Sequence, residues 1–397
     1  MKVAWRVTKL IKSSTRTLQA LLWMRLAFSR ESHFAQTSIG ERGAKNSHPF
    51  IVICPALTFF LKKVLLWICT FLTRLLVKSK SEVILLLGLI LDLNSPMMKP
   101  VNDVPFCAGP DRFPRTPYFP MPAGACDTHF HIFPAGHEHR YVPDRSYTPI
   151  PLEISDYDHI AKSLNIDRAV VVQASVYGQD NTATLGVVSA NPERLRAVIS
   201  VDKDITDADL ELYHAQGVRG IRVNVVDSGG MTFDSIDEAL AFTARIKEFG
   251  WHIEFLAHVE TFDDIQTVIQ KSHVPVVFGH LGYTKVAKGI EDPGFKRFLN
   301  AFQDGAVWVK LTGPYRISNL VEAPYTDITA MAHALIETNP DRLLWGSDWP
   351  HVRHVGIMPN DTDLLEQLSF WGCNASLRKK ILVDNPTTLY GFPVTNT

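Results

Sequence analysis

Eight short runs rich in apolar and β-branched residues follow one another from Gly124 onward. They are Ala125–His131, Arg168–Gln173, Arg196–Asp202, Val218–Val225, His252–Ala257, Val274–Leu281, Val307–Thr312 and Arg342–Asp348. Most are near-continuously apolar, as parallel strands buried on both faces must be. Stretches with helical apolar spacing separate them: a segment from Ser155, then Asp207–Gln216, Ser235–Phe249, Phe262–Lys271, Pro293–Gln303 and Thr326–Thr338. Several open on Ser, Thr or Asp in a capping position. Eight β-then-α units predict a (β/α)8 TIM-type barrel over residues 120–392. A doubly wound open sheet would need a Gly-rich phosphate turn after the first strand, and none is present. The stretch from Leu364 to Phe392 reads as C-terminal helices packed on the barrel.

Composition matters mainly through its asymmetry. The chain has 397 residues, 46% hydrophobic and 20% charged, which excludes a collagen, a coiled-coil rod and a wholly disordered chain. Its net charge of −1 hides a basic first hundred residues, with 15 Lys/Arg against 4 Asp/Glu, and an acidic remainder. Such a balance gives no case for nucleic-acid binding. The 5 cysteines are far apart and form no CxxC, so a disulfide framework is not expected and a reducing compartment is the default.

Residues 1–100 therefore form a separate N-terminal extension, read as targeting, membrane-associated or disordered. The first part, to about Ser47, is basic, Ser/Thr-rich and poor in acid, which suits an organelle-targeting peptide. Residues 50–91 carry three apolar runs interrupted by Lys62-Lys63 and Arg74. They leave membrane association open, as a span with snorkelling charges or as a basic interfacial helix. The barrel itself is expected in the cytoplasm, unless the extension directs it to an organelle or a membrane.

Chemistry in such a barrel sits where strands end. Strand one ends Asp127-Thr-His129-Phe-His131, and residues two apart on a strand point the same way, so both imidazoles can enter the barrel mouth. Strand six ends Gly279-His280-Leu-Gly282. Strand eight ends Gly346-Ser-Asp348-Trp-Pro-His351, where desolvation by flanking apolar groups is expected to raise the pKa of Asp348 and make it a better base. Three imidazoles and one carboxylate thus lie at the same end of three strands.

HxH after strand one, His after strand six and Asp after strand eight resembles the amidohydrolase superfamily. Within it the chain resembles the amidohydrolase-related (amidohydrolase 2) group, in the branch that contains 2-pyrone-4,6-dicarboxylate lactonase. The shared stretches start at Ala123-Gly-Ala-Cys-Asp-Thr-His-Phe-His, Arg145-Ser-Tyr-Thr-Pro, Val172-Gln-Ala-Ser, Gly217-Val-Arg-Gly-Ile-Arg-Val-Asn, Arg342-Leu-Leu-Trp-Gly-Ser-Asp-Trp-Pro-His and Asp384-Asn-Pro. The resemblance implies a hydrolase that opens a lactone or related cyclic ester of a small organic acid. Asp348 would take a proton from the attacking water, while His129, His131 and His280 polarise the carbonyl. Arg222, Ser175, Tyr147, Arg316 and His351 would bind the substrate.

Departures from the family pattern limit the substrate and the metal. The second arginine expected just after Arg222 is missing, which points away from a dicarboxylate and toward a monocarboxylate or an uncharged lactone. The polar position of strand five reads as Leu256, with His258 two residues on. The end of strand four offers no Lys or Glu to bridge two metals, so a binuclear centre is not expected. His129, His131, His280 and Asp348 could hold one divalent ion such as zinc, but the resemblance favours metal-independent chemistry. Two other readings remain at this stage: a zinc-dependent decarboxylase of an aromatic or unsaturated acid, and a catalytically silent barrel serving as a binding protein. Oligomeric state is not legible.

Overall fold

The structure is a computed structural model that describes residues 104–227 and 230–393, the His139 side chain excepted. The expectations for residues 1–100, including membrane association through 50–91, lie outside the described residues. Among the described residues no helix is long and apolar enough to cross a membrane.

Eight strands pair in parallel in chain order: β1 Cys126–Phe130, β2 Arg168–Val172, β3 Leu195–Ile199, β4 Val218–Asn224, β5 His252–Leu256, β6 Val276–Phe278, β7 Val307–Leu311 and β8 Leu343–Trp345. The sheet closes through a parallel bridge between Phe130 and Trp349. There the His131 N–H donates to the Trp349 carbonyl and the Asp348 N–H to the His129 carbonyl, both at 2.8 Å. The closure brings the first and last strand ends together, as the barrel reading requires.

Helices α1 Ile154–Ser163, α2 Thr182–Ser189, α3 Asp207–Ala215, α4 Ile236–Ile246, α5 Ile265–Gln270, α6 Pro293–Gln303 and α7 Thr329–Thr338 follow the first seven strands in turn, and α8 Asp361–Phe370, α9 Ala375–Lys379 and α10 Asn385–Tyr390 close the chain. Caps set the starts: Thr206, Ser235, Asp264 and Asp292 each accept from a backbone N–H of the first turn. Helix α2 was not expected from the sequence. Its apolar residues are spread around the helix instead of along one stripe, because Ala183, Thr184, Leu185 and Val188 are all buried.

Alternate strand residues face two different cores. Val170, Val172, Val198, Val277 and Leu344 pack inside the barrel, whereas their neighbours Ala169, Val171, Ala197 and Val276 pack outward against the helices. Leu389, Tyr390 and Phe392 join the inner cluster, with the Arg168 and Arg196 guanidinium carbons 4.9 and 4.6 Å from the centre of the Phe392 ring. The C-terminal turn thus packs against the inner residues of the barrel as well as its outside. The packed body also begins before residue 120: Cys107 N–H donates to the Thr148 carbonyl, and Asn360 Nδ2 to Asp111.

Candidate active site

The strand-end residues meet as the alternation of β1 dictates. His129 Nε2 and His131 Nε2 lie 3.7 and 3.8 Å from Asp348 Oδ1, and His280 Nδ1 lies 4.0 Å from Asp348 Oδ2. All four side chains are buried. Close approach of β1 and β8 makes this possible: a β-carbon on Gly346 would fall 2.7 Å from His129 Cβ, so only glycine fits. Asp127 ties the two strands further. Its carboxylate accepts from the N–H groups of His129 and Ser347 and from the hydroxyls of Ser347 and Tyr157, at 2.6 to 3.0 Å. His280 and Asp348 have φ of 51° and 64°. Backbone in this region costs on the order of 1–3 kcal/mol per residue and is tolerated where the surrounding contacts fix it.

Imidazole tautomers follow from the partners. His131 Nδ1 sits 2.7 Å from the Val172 carbonyl, so it carries the proton and leaves a lone pair on Nε2. His129 Nδ1 lies 3.3 Å from Glu254 Oε1 and 3.3 Å from Lys310 Nζ. Neither His129 Nε2 nor Asp348 Oδ1 has a hydrogen-bond partner. His129 Nε2 and His131 Nε2 thus converge on Asp348 Oδ1. His280 Nδ1 is 2.9 Å from the Thr312 hydroxyl, which can donate to it and leave the ring proton on Nε2.

Asp348 departs from the sequence expectation. Desolvation alone would raise its pKa, but the Arg316 guanidinium and the neighbouring imidazoles hold it well below the usual carboxylate range. Arg316 Nε donates to Asp348 Oδ2 at 2.5 Å and the Tyr315 hydroxyl at 2.6 Å. Arg316 is thus committed to the Asp348 carboxylate, although it still lines the cavity. Burial lowers His131 to about 4 and His280 to about 3, so both are neutral near pH 7.

The cavity above these groups has a volume of about 360 Å³ and is lined by His131, Tyr147, Ser175, Arg222, His280, Arg316 and Asp348, among others. Arg222 Nη1 donates to the Gln173 carbonyl at 2.5 Å, while its buried Nε has no partner. Of the expected substrate contacts, His351 does not line the cavity. Its ring is held between the Tyr315 hydroxyl at 3.1 Å and Asp361 at 3.3 Å, so it supports Tyr315. His258 stacks on Tyr283 and does not line the cavity either.

The polar residue of β5 is Glu254, not Leu256. Glu254 Oε2 accepts from Lys310 Nζ at 2.6 Å, and Lys310 also donates to the Thr128 carbonyl at 2.8 Å. Both side chains are fully buried directly beneath His129. A charged residue within each of two strands expected to be apolar on both faces, His-Ile-Glu-Phe-Leu and Val-Trp-Val-Lys-Leu, was the sequence signal for this pair. Tyr315 stands next to Arg316 in the chain, and the sequence carries no separate signal for it.

His129, His280 and Asp348 each place a donor atom within 4.8 Å of the other two, and among the described residues no other such cluster occurs. The unpartnered His129 Nε2 and Asp348 Oδ1 make this set fit one divalent metal ion. Among the described residues Glu254 and Lys310, buried beneath His129, neutralise each other, so neither is free to bridge a pair of ions.

The family model described as amidohydrolase matches residues 126–392. The chain belongs to the amidohydrolase family. Among curated proteins, a 2-pyrone-4,6-dicarboxylate hydrolase of Comamonas testosteroni is 34% identical over 70% of this chain and 93% of its own length. A 4-sulfomuconolactone hydrolase of Rhizobium radiobacter is 35% identical over 72% of this chain and 97% of its own. A crystal structure from Acinetobacter baumannii with citric acid bound superposes with a TM-score of 0.60 at 26% identity, covering 68% of this chain and 100% of that one. As an amidohydrolase with this constellation intact, the chain is a hydrolase.

Proposed function

We propose that this amidohydrolase opens a lactone of a small organic acid. The observation that carries the reading is the convergence of His129 Nε2 and His131 Nε2 on Asp348 Oδ1 beside a cavity lined by Arg222. A water at that point would donate one hydrogen to Oδ1 and the other to an Nε2, leaving its own lone pair free for a carbonyl carbon. Asp348 takes the proton as the C–O bond forms, and returns it to the ring oxygen as the ring bond breaks. His280 Nε2–H supports the developing oxyanion, and the Arg316 cation adds favourable potential. The Arg222 guanidinium, with the hydroxyls of Tyr147 and Ser175, receives a substrate carboxylate.

Zinc suits the imidazole and carboxylate donors of His129, His131, His280 and Asp348, and when bound it would supply Lewis-acid polarisation of the carbonyl. The names of the two curated relatives, both lactone hydrolases, support the reaction class, and the citric acid of the Acinetobacter protein supports a carboxylate-binding cavity. The test is a panel of five- and six-membered lactone acids assayed with the wild-type chain and with Asp348→Asn. Turnover is expected in the wild type and a loss of about 10²–10⁴-fold in the variant. Full activity in a folded Asp348→Asn chain would overturn the assignment.

A further inference from the structure

The cavity that holds Asp348 is lined by both charged and apolar side chains. Four cationic side chains line it: Arg222, Lys285, Arg316 and Arg353. Arg316 is bound to Asp348 and Arg353 forms an ion pair with Asp227, while Lys285 Nζ donates to the Arg316 carbonyl and keeps its charge at the cavity. Among the described lining residues, Arg222 alone is a buried cation with an unpartnered donor and no carboxylate within ion-pair distance. One buried anion site is therefore available, beside Tyr147 and Ser175.

Apolar side chains also line the mouth. Leu320 and Val321, in the loop after β7, and Val355, in the loop after β8, stand there with Val352 and Leu256, interleaved with Ser318, Asn319, Arg353 and His354. Leu320 is 41% exposed, Val321 67% and Val355 93%. Exposed apolar side chains gathered at the rim of a concave site are unusual on a soluble surface, where such patches mark binding. The volume of about 360 Å³ equals roughly twelve water volumes, more than a single ring bearing one carboxylate fills.

Resting on the lactonase reading above, we infer that the substrate is a lactone carrying one carboxylate and an apolar substituent. The carboxylate meets Arg222, and an alkyl or aryl group leaves the ring toward Leu320, Val321 and Val355. A dicarboxylate or a sulfonated lactone would find a buried, unpartnered cation for only one of its two anions. The apolar loops after β7 and β8 are thus specificity-determining.

The experiment is a matched series on the full chain: lactone monocarboxylates with hydrogen, n-butyl or phenyl at the ring position away from the carboxylate, and the corresponding lactone dicarboxylate. The ratio of kcat/KM for the substituted over the unsubstituted lactone is expected to reach roughly tenfold or more, within the range by which apolar pockets discriminate. Val321→Asp and Val355→Asp, both at exposed positions and checked for folding by circular dichroism, should bring that ratio to about one. Preference for the dicarboxylate, or a ratio unchanged in both variants, would overturn the inference. If no lactone is turned over, the lactonase reading fails on its own. Calorimetric binding of benzoate-type and unsubstituted carboxylates then decides the subsite, equal affinities overturning it and tighter binding of the apolar one, lost in Val355→Asp, supporting it.

Discussion

Arg316 Nε lies 2.5 Å from Asp348 Oδ2, and this contact decides what kind of base the carboxylate is. Burial without a cation would raise the pKa of this carboxylate above its ordinary range. With Arg316 attached it is held well below that range. The wild-type kcat/KM should therefore show no acid limb from Asp348. Arg316→Met removes the attraction and leaves the desolvation, so the carboxyl pKa should rise and an acid limb should enter the pH–rate profile. Identical profiles for the two chains would contradict this role.

The Lys310–Glu254 pair should be costly to break and cheap to replace. Lys310→Met strands a buried carboxylate beneath His129 and should destabilise the fold by roughly 3–5 kcal/mol in urea denaturation. The double variant Lys310→Met with Glu254→Leu should recover most of that loss. A single variant as stable as the wild type would show that the pair carries no structural charge balance.

Stability should fall on acidification before the surface carboxylates titrate. His131 and His280 take up protons near 6.5 when unfolded but only near 4 and 3 when folded, so the unfolded chain binds more protons between pH 6.5 and 4. Asp127 acts in the opposite direction, because burial raises it from 3.8 to about 6 and the folded chain gains that proton first. His129 and His252, which burial also holds below 6.5, act with His131 and His280, so the balance is a net loss of stability between pH 7 and 4. Denaturation midpoints measured across that window check the sign, and a midpoint that climbs toward pH 4 would refute it.

Metal affinity should depend on Glu254 although it is not among the ligands. Glu254 Oε1 lies 3.3 Å from His129 Nδ1, and Glu254 also holds the Lys310 ammonium that contacts the same nitrogen. Zinc titrated into the metal-stripped chain is expected to bind at one equivalent, more weakly by about 10–100-fold in Glu254→Gln and with greater loss in His280→Gln. Equal affinity in all three chains would place the ion elsewhere.

Gly346→Ala should separate β1 from β8. The added methyl would meet His129 backbone and Cβ, with no flexible group to yield. Activity should fall more than stability, since the overlap lies within the site. The comparison of kcat with the melting midpoint tests this, a parallel loss of both counting against it.

The barrel and the identity of His129, His131, His280 and Asp348 were legible in the chain because each rests on local periodicity: eight apolar runs, and alternation that turns two histidines the same way. The amino-acid order also recorded the missing second arginine after Arg222. What it could not settle were quantities set by partners distant in the chain. Whether Asp348 is raised or lowered depends on a guanidinium 32 residues away, and desolvation alone gave the wrong sign. Glu254 and Lys310 each stood out in an apolar strand, yet only closure of the sheet brings them together across 56 residues. His351, next to the strand-eight motif in sequence, is turned behind Tyr315 by Asp361 of α8. Strand spacing is written residue by residue, whereas electrostatic balance belongs to the folded volume, where burial and neighbouring charge compete at a few ångströms.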